Sequence, residues 1–147
     1  TQLYRSLLNH LRSSPVFYHC RYFLPVENRY QDFLEEGIRV FGVFHGEALV
    51  GMVDAEKTDG ELSEGDAQAL GMGDVFILPD HRGKGLSASL LSYANDRLQE
   101  SGTRRLYVMH GTINPAARGF WDQHFTNYSY SLERSVDPDM LGKIERV

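Results

Sequence analysis

Residues 75–88 combine the features needed to hold a phosphate group, and they read Val-Phe-Ile-Leu-Pro-Asp-His-Arg-Gly-Lys-Gly-Leu-Ser-Ala. The continuous apolar run predicts a strand buried on both faces, and the proline ends it because proline cannot donate to a sheet ladder. Gly83 and Gly85 lie where the chain turns into a helix, and glycine lets backbone N–H groups approach a ligand closely. Because the first N–H groups of a helix have no internal partner, we predict a pyrophosphate cradle here, with Arg82 and Lys84 adding positive charge.

Two other phosphate-binding loops match this segment less well. A P-loop requires Gly-x-x-x-x-Gly-Lys-Ser/Thr, and the segment lacks that spacing. Gly83, Gly85 and Ala88 meet the looser form of the dinucleotide fingerprint, but no acidic residue follows about 20 positions later, where the ribose requires one. A glycine-rich strand-to-helix turn without a ligand is the structural alternative.

The elements around this segment predict an α/β domain with a mixed sheet. Hydrophobic periodicity, caps and breakers predict helices over 2–13, 27–36, 84–101 and 114–124. Runs of β-forming residues predict strands over 38–44, 48–54, 74–78, 106–109 and 128–136. The first two strands should form a hairpin around His45-Gly46, Gly102 should cap the long helix, and the acidic residues 55–70 should form a solvated loop. The order of elements predicts an antiparallel first half and a βαβ crossover in the second.

Length and composition narrow the class of protein. The 147 residues suit one domain over 1–147, and the absence of a basic segment followed by an apolar one predicts no signal peptide. The net charge of −5 argues against a nucleic-acid partner, and no apolar run is long enough to predict a membrane span. The single cysteine, Cys20, favours a reducing compartment such as the cytoplasm, and the histidine spacing predicts no metal site. The start at Thr1 suggests a trimmed chain or a piece of a longer one.

The glycine-rich loop resembles the acetyl-CoA signature of the GNAT N-acetyltransferases, Arg/Gln-x-x-Gly-x-Gly/Ala, with serine at the last position. The resemblance implies a GNAT-like mixed sheet flanked by helices, with acetyl-CoA as the co-substrate. In that family the loop amides hold the pyrophosphate, and the preceding strand pairs its backbone with the pantetheine arm. Carried over by position, the strand contacts are Val75, Phe76 and Ile77, and the loop contacts are Arg82, Gly83, Lys84, Gly85, Leu86, Ser87 and Ala88.

A second segment, residues 114–121, supports the resemblance, which spans residues 38–136. Asn-Pro-Ala-Ala-Arg-Gly-Phe-Trp is similar to the family's Asn-x-x-Ala-x-x-Phe-Tyr element, in which the asparagine lies close to the cofactor arm. For Asn114 the alternative role is a plain N-cap. Three features depart from the family pattern. The tyrosine that often acts as general acid is Trp121, the position of a frequent carboxylate base is Gly71, and the family's strand before the first helix is missing or belongs to a longer parent.

Direct attack of an amine on a thioester needs a base for the amine and a proton for the leaving thiolate. His110, at the end of a predicted strand near the point where family members separate two strands around the thioester, is the candidate base. Tyr128 is the candidate proton donor, with Tyr130 as a further one. Asp74 should lie on the opposite face of its strand from Gly71 and is a weaker candidate, as is Cys20. Each of these residues also has a purely structural interpretation.

The sequence therefore predicts an acetyl-CoA-dependent N-acyltransferase that acts on a primary amine of a small molecule or a peptide. A homodimer is compatible with this prediction. Two alternatives stay open. In the first alternative, the chain is a non-catalytic acyl-CoA-binding module, half of a tandem or dimeric protein. In the second, it is a regulatory domain that binds nucleotide phosphates without the pantetheine arm.

Overall fold

The computed structural model describes residues 2–13, 29–57, 65–111 and 114–130. Within them a four-stranded sheet has the order β1-β2-β3-β4, formed by β1 (Arg39–His45), β2 (Ala48–Glu56), β3 (Ala69–Ile77) and β4 (Arg105–Val108). The pairs β1–β2 and β2–β3 are antiparallel, and the pair β3–β4 is parallel. The predicted mixed sheet is confirmed.

Four helices flank this sheet in the described part of the chain: α1 (Gln2–Ser13), α2 (Arg29–Glu35), α3 (Leu86–Glu100) and α4 (Pro115–Trp121). Helix α3 joins the parallel strands β3 and β4, which confirms the βαβ crossover. The aromatic-rich residues 16–26 predict a loop or short helix, and this segment lies outside the described residues. No described helix is long and apolar enough to cross a membrane.

The core has two parts, one on each face of the sheet. On one face, Leu3 and Leu7 of α1 and Phe33 of α2 pack with the strand residues Met52 and Phe76. The other face carries α3 and Trp121 of α4, and its buried strand residues are Val53, Ala55, Met72 and Ile77. Neighbouring strand residues such as Phe76 and Ile77 thus enter different clusters, as strand alternation requires. A strand with both faces buried explains the continuous apolar run of β3.

The hairpin between β1 and β2 turns one residue later than predicted. His45 pairs with Ala48, so the loop is Gly46-Glu47 and not His45-Gly46. Gly46 has a φ of 61°, the left-handed conformation that a two-residue hairpin loop favours at its first position.

Strand β3 begins at Ala69, five residues before the predicted start at Asp74. Residues 69–72 pair with β4 on one side, and Gly71 and Met72 also pair with β2 on the other. Tertiary pairing therefore overrides the low strand propensity of a Leu-Gly-Met-Gly segment. Residues 55–56 and 69–70 therefore lie in strands and not in the predicted acidic loop, of which residues 58–64 lie outside the described part of the chain.

The remaining boundaries differ from the predicted ones by a few residues. Ser101 is the C-cap of α3 and Gly102, with a φ of 96°, is the residue after it. Helix α4 ends at Trp121 rather than at residue 124. Residues 128–130 are not in a strand, contrary to the prediction for 128–136, and the rest of that segment lies outside the described residues.

Candidate cofactor and active site

The loop between β3 and α3 has the backbone conformation that its glycines allow. Gly83 and Gly85 have φ values of 73° and 74°, and Gly85 is the N-cap of α3. A Cβ atom built at either glycine would have no other heavy atom within 4 Å. Glycine is therefore required by the left-handed conformation and not by a shortage of space.

The same loop presents a row of backbone amides that have no hydrogen-bond partner among the described residues. No N–H group from Gly83 to Ala88 donates to another described residue, and Gly85 makes no side-chain cap. The first amide with a partner belongs to Ser89, whose N lies 3.0 Å from the carbonyl oxygen of Gly85. Free amides at the N-terminus of a 15-residue helix, with the helix dipole behind them, form a site for an anion.

The two cations of the loop are tied to its backbone. The Arg82 Nε donates to the carbonyl oxygen of Ile77 at 2.8 Å, and its guanidinium lies over the ring of Phe76, 5.1 Å from the ring centre. The Lys84 Nζ donates to the carbonyl oxygen of Asp80 at 3.1 Å. Both residues are exposed, so their positive charges lie on the solvent-facing side of the loop.

Beside the loop, β3 and β4 separate. Their ladder runs from Ala69 paired with Arg105 to Met72 paired with Val108, and β3 then continues to Ile77 with β2 as its only neighbour among the described strands. We call this separation point the fork. The separation of two strands that the family resemblance predicts is therefore present at this position.

The edge of β3 beyond the fork offers backbone groups from alternate residues. The amide of Leu78 donates to Val50 of β2, so Phe76 also directs its backbone groups towards β2. The backbone groups of Val75 and Ile77 point the other way, to the open edge. Arg82 takes the Ile77 carbonyl, which leaves both backbone groups of Val75 and the Ile77 amide available to a ligand. The Phe76 side chain is buried and supports the strand from the α1 face.

Asn114 is the N-cap of α4. Its Oδ1 accepts from the amides of Ala116 and Ala117 at 3.1 and 3.3 Å, which confirms the capping role. Its Nδ2 has no partner among the described residues and remains able to donate to a ligand.

His110 lies two residues beyond the end of β4, and its side chain is only 12% exposed. Its Nε2 is 4.0 Å from Oδ1 of Asp122, the C-cap of α4, and Asn127 Nδ2 donates to the same oxygen at 3.1 Å. The other ring nitrogen, Nδ1, is buried and has no partner in the described part of the chain. The sequence did not single out Asp122 or Asn127, since only the turn after α4 brings them to His110.

The aromatic candidates have different environments. Tyr128 and Tyr130 are exposed, and the Tyr128 ring lies 6.1 Å from that of Tyr107 on β4. Trp121, which stands where the family often has tyrosine, is 4% exposed and packs edge-on against Phe120 and Phe125. It therefore belongs to the core, while Cys20 lies outside the described residues.

A carboxylate that the sequence did not single out lies at the fork. Asp54 of β2 is 5% exposed, and its Oδ1 accepts from the amide of Asp74 at 3.1 Å. An aspartate inside the apolar run Leu-Val-Gly-Met-Val-Asp-Ala was the available signal. Met72 and Val75 pack in the same cluster, so the register shift in the β2–β3 pairing places both side chains on the α3 face. Their neighbours Gly71 and Asp74 therefore lie together on the other face of β3, whereas the sequence predicted opposite faces for these two residues.

A mixed sheet with exposed amides at a helix N-terminus beside a strand fork has a shape suited to an extended phosphate-containing ligand. The sequence model of the acetyltransferase (GNAT) family matches residues 4–125, which is most of the chain. The chain therefore belongs to the GNAT acetyltransferase family. No curated protein matches it in a sequence search.

Solved structures share this fold at low sequence identity. An aminoglycoside acetyltransferase from an uncultured soil metagenomic sample, in complex with sisomicin, has a TM-score of 0.62 and 17% identity over 90% of this chain and 87% of that one. A ribosomal-protein-alanine N-acetyltransferase from Brucella melitensis biovar Abortus 2308 has a TM-score of 0.65 and 16% identity over 90% and 88%. The aminoglycoside N-acetyltransferase AAC(6')-Iy, in complex with CoA, has a TM-score of 0.60 and 14% identity over 76% and 87%.

Proposed function

We propose that the protein is an N-acetyltransferase that moves the acetyl group of acetyl-CoA to a primary amine. The observation that carries the proposal is the row of amides from Gly83 to Ala88, which have no partner in the described part of the chain and lie beside the open edge of β3. An anion cradle that continues into an unpaired strand edge fits a ligand with a pyrophosphate at one end and an amide-containing arm at the other.

The residues present fit acetyl-CoA part by part. The loop amides and the charges of Arg82 and Lys84 suit the pyrophosphate. Val75 and Ile77 offer backbone groups to the amides of the pantetheine arm, with Phe76 supporting them from the other face, and Asn114 offers its Nδ2. The bound cofactor supplies an acetyl thioester, whose carbonyl carbon is the electrophile.

His110 and Tyr128 supply the proton transfers in this proposal. The His110 imidazole accepts the proton that the attacking amine loses, and the Asp122 carboxylate, 4.0 Å from Nε2, stabilises the protonated ring. The Tyr128 hydroxyl donates a proton to the departing sulfur. The products are an amide, free CoA, a protonated His110 and a deprotonated Tyr128. His110 then releases its proton to solvent, and Tyr128 takes one up from solvent.

The acceptor is a primary amine of a small molecule or a peptide. Two of the solved neighbours have names that specify an aminoglycoside and a ribosomal-protein alanine, both of which carry amines. We also propose a cytoplasmic location, which suits a chain with a single cysteine. A homodimer is compatible with the fold.

One observation favours a second candidate function, a non-catalytic acyl-CoA-binding module. Trp121 is buried in the core at the position of the family's frequent acid, and Gly71 has no side chain at the position of a frequent base. Such a module would bind acetyl-CoA but would not transfer its acetyl group.

Calorimetric titration of the protein with acetyl-CoA, with ATP as the control, tests the proposal first. We expect micromolar binding of acetyl-CoA and much weaker binding of ATP, because ATP has phosphates for the cradle but no arm for β3. A screen of amines for CoA thiol release then separates enzyme from module. Equal binding of the two ligands would favour a nucleotide-phosphate domain, and no binding of either would refute the cofactor assignment.

A further inference from the structure

Strand β3 contains a β-bulge at the fork. Val53 of β2 pairs with Val75 and Ala55 pairs with Met72, so the single residue Asp54 faces both Gly73 and Asp74. A bulge of this kind interrupts the ladder and bends the strand that carries the extra residue. Here it follows directly on the last β3–β4 pair, Met72 with Val108.

The Asp54 side chain is fitted to this bulge. Its Oδ1 accepts the Asp74 amide at 3.1 Å. A Cβ atom at Gly73 would lie only 1.8 Å from the same oxygen, so the carboxylate occupies the space that a side chain at position 73 would need. Because a buried carboxylate is costly unless it is hydrogen-bonded, a 5% exposed aspartate in this position indicates a defined structural contact.

The bulge determines which side chains of β3 beyond the fork face α3 and which face α1. With the extra residue, Val75 and Ile77 pack towards α3 while Phe76 packs towards α1. A one-residue slip that removed the bulge would send each of these side chains to the other face of the sheet. It would also turn the backbone groups of Val75 and Ile77 towards β2 and away from the open edge.

We propose that Asp54 is a positioning residue, which holds the bulge through its carboxylate over Gly73 and so keeps the open edge of β3 available to the pantetheine arm. The identity of the ligand rests on the proposed function. The bulge contact itself rests only on the geometry of Asp54, Gly73 and Asp74.

A double-mutant cycle in stability tests the contact. Gly73→Ala alone should lower the thermal midpoint strongly, because the new methyl group meets the carboxylate. Asp54→Ala alone should lower it by removing the acceptor for Asp74. The double variant should be more stable than the sum of the two losses allows, since removal of the carboxylate makes room for the methyl group. Additive losses would refute the coupling.

Ligand binding tests the positioning role. Asp54→Ala should weaken acetyl-CoA binding about tenfold, which corresponds to about 1.4 kcal/mol. It should leave the affinity for adenosine 3′-phosphate 5′-diphosphate unchanged, because this CoA fragment lacks the arm. Asp54→Asn keeps an acceptor oxygen and should bind acetyl-CoA almost as the unaltered protein does.

The outcomes separate this inference from the proposed function. The positioning role would be refuted if Asp54→Ala weakened the binding of both ligands equally, or if it left acetyl-CoA binding unchanged. If the unaltered protein bound no acetyl-CoA, the proposed function and the positioning role would both fail. The stability cycle would then still show whether Asp54 holds the bulge.

Discussion

A histidine can act as a base only if one ring nitrogen is free to take a proton while the ring is held in place. In the proposed mechanism His110 takes up a proton, and the Asp122 carboxylate, 4.0 Å from Nε2, favours the protonated ring. Asp122 is in turn held by Asn127.

Substitution of His110 tests this assignment. His110→Ala should lower kcat by about 10²- to 10⁴-fold, the usual contribution of a general base, with little change in acetyl-CoA affinity. Asp122→Asn should give a smaller loss in kcat with the same affinity, because it acts through His110. Steady-state kinetics with an amine acceptor, together with calorimetry, provide both readouts.

His124→Ala is the control for these variants. His124 lies in the same turn after α4 but is exposed, and its ring packs on Phe120. The His124 variant should keep its rate. An unchanged kcat in His110→Ala would remove His110 as the base.

At the scale of the element, helix α3 connects the cofactor site to the rest of the fold. Both of its ends are flanked by a left-handed glycine, Gly85 before the helix with a φ of 74° and Gly102 after it with a φ of 96°. Neither position is crowded by neighbouring atoms. The two glycines therefore serve the backbone in the same way, but only Gly85 lies in the cradle.

This pairing gives a matched test of the cradle. Gly85→Ala and Gly102→Ala should each cost about 1–2 kcal/mol of stability, because alanine disfavours the left-handed conformation. Only Gly85→Ala should weaken acetyl-CoA binding, by about tenfold to a hundredfold, as the loop amides turn away from the phosphates. Gly85→Val should abolish binding. Calorimetry measures acetyl-CoA binding by both alanine variants, and thermal unfolding measures their stability. If the two variants bound acetyl-CoA equally well, the phosphate-binding site would not be at Gly85.

At the scale of the whole molecule, the sequence predicted the parts that local signals determine. The apolar run of β3, the glycine loop and the leucine periodicity of α3 specify a strand, a turn and a helix in succession, and the βαβ crossover follows from them. The N-cap at Asn114 is equally local. The GNAT assignment rested on these segments, and the family match confirms it.

The sequence could not predict features that depend on pairing between distant segments. The start of β3 at Ala69 depends on its two neighbouring strands, and the bulge depends on Asp54 lying over Gly73. Asp122 approaches His110 only through the turn that ends α4. Each contact joins residues from different elements, so neither periodicity nor propensity carries a signal for it.

His10 lies near the cofactor loop, since both Phe76 and the loop residue Arg82 interact with it. This residue of α1 lies with its ring 5.9 Å from that of Phe76, on the face opposite α3. Partial burial lowers the pKa of His10 below its ordinary value of 6.5, and the positive charge of Arg82 lowers the pKa further. Protonation of His10 therefore opposes the packing of α1 on the sheet.

This shift predicts how stability depends on pH. Because the unfolded chain binds a proton on His10 more readily than the folded chain does, stability is retained above pH 6.5 and falls as the pH drops through that value. His10→Gln should reduce the loss of stability between about pH 7.5 and 5. Arg82→Gln should reduce it less, because the charge of Arg82 is the smaller cause. Urea unfolding at several pH values measures each slope, and a His10→Gln slope equal to that of the unaltered protein would show that His10 does not link α1 to the pH response.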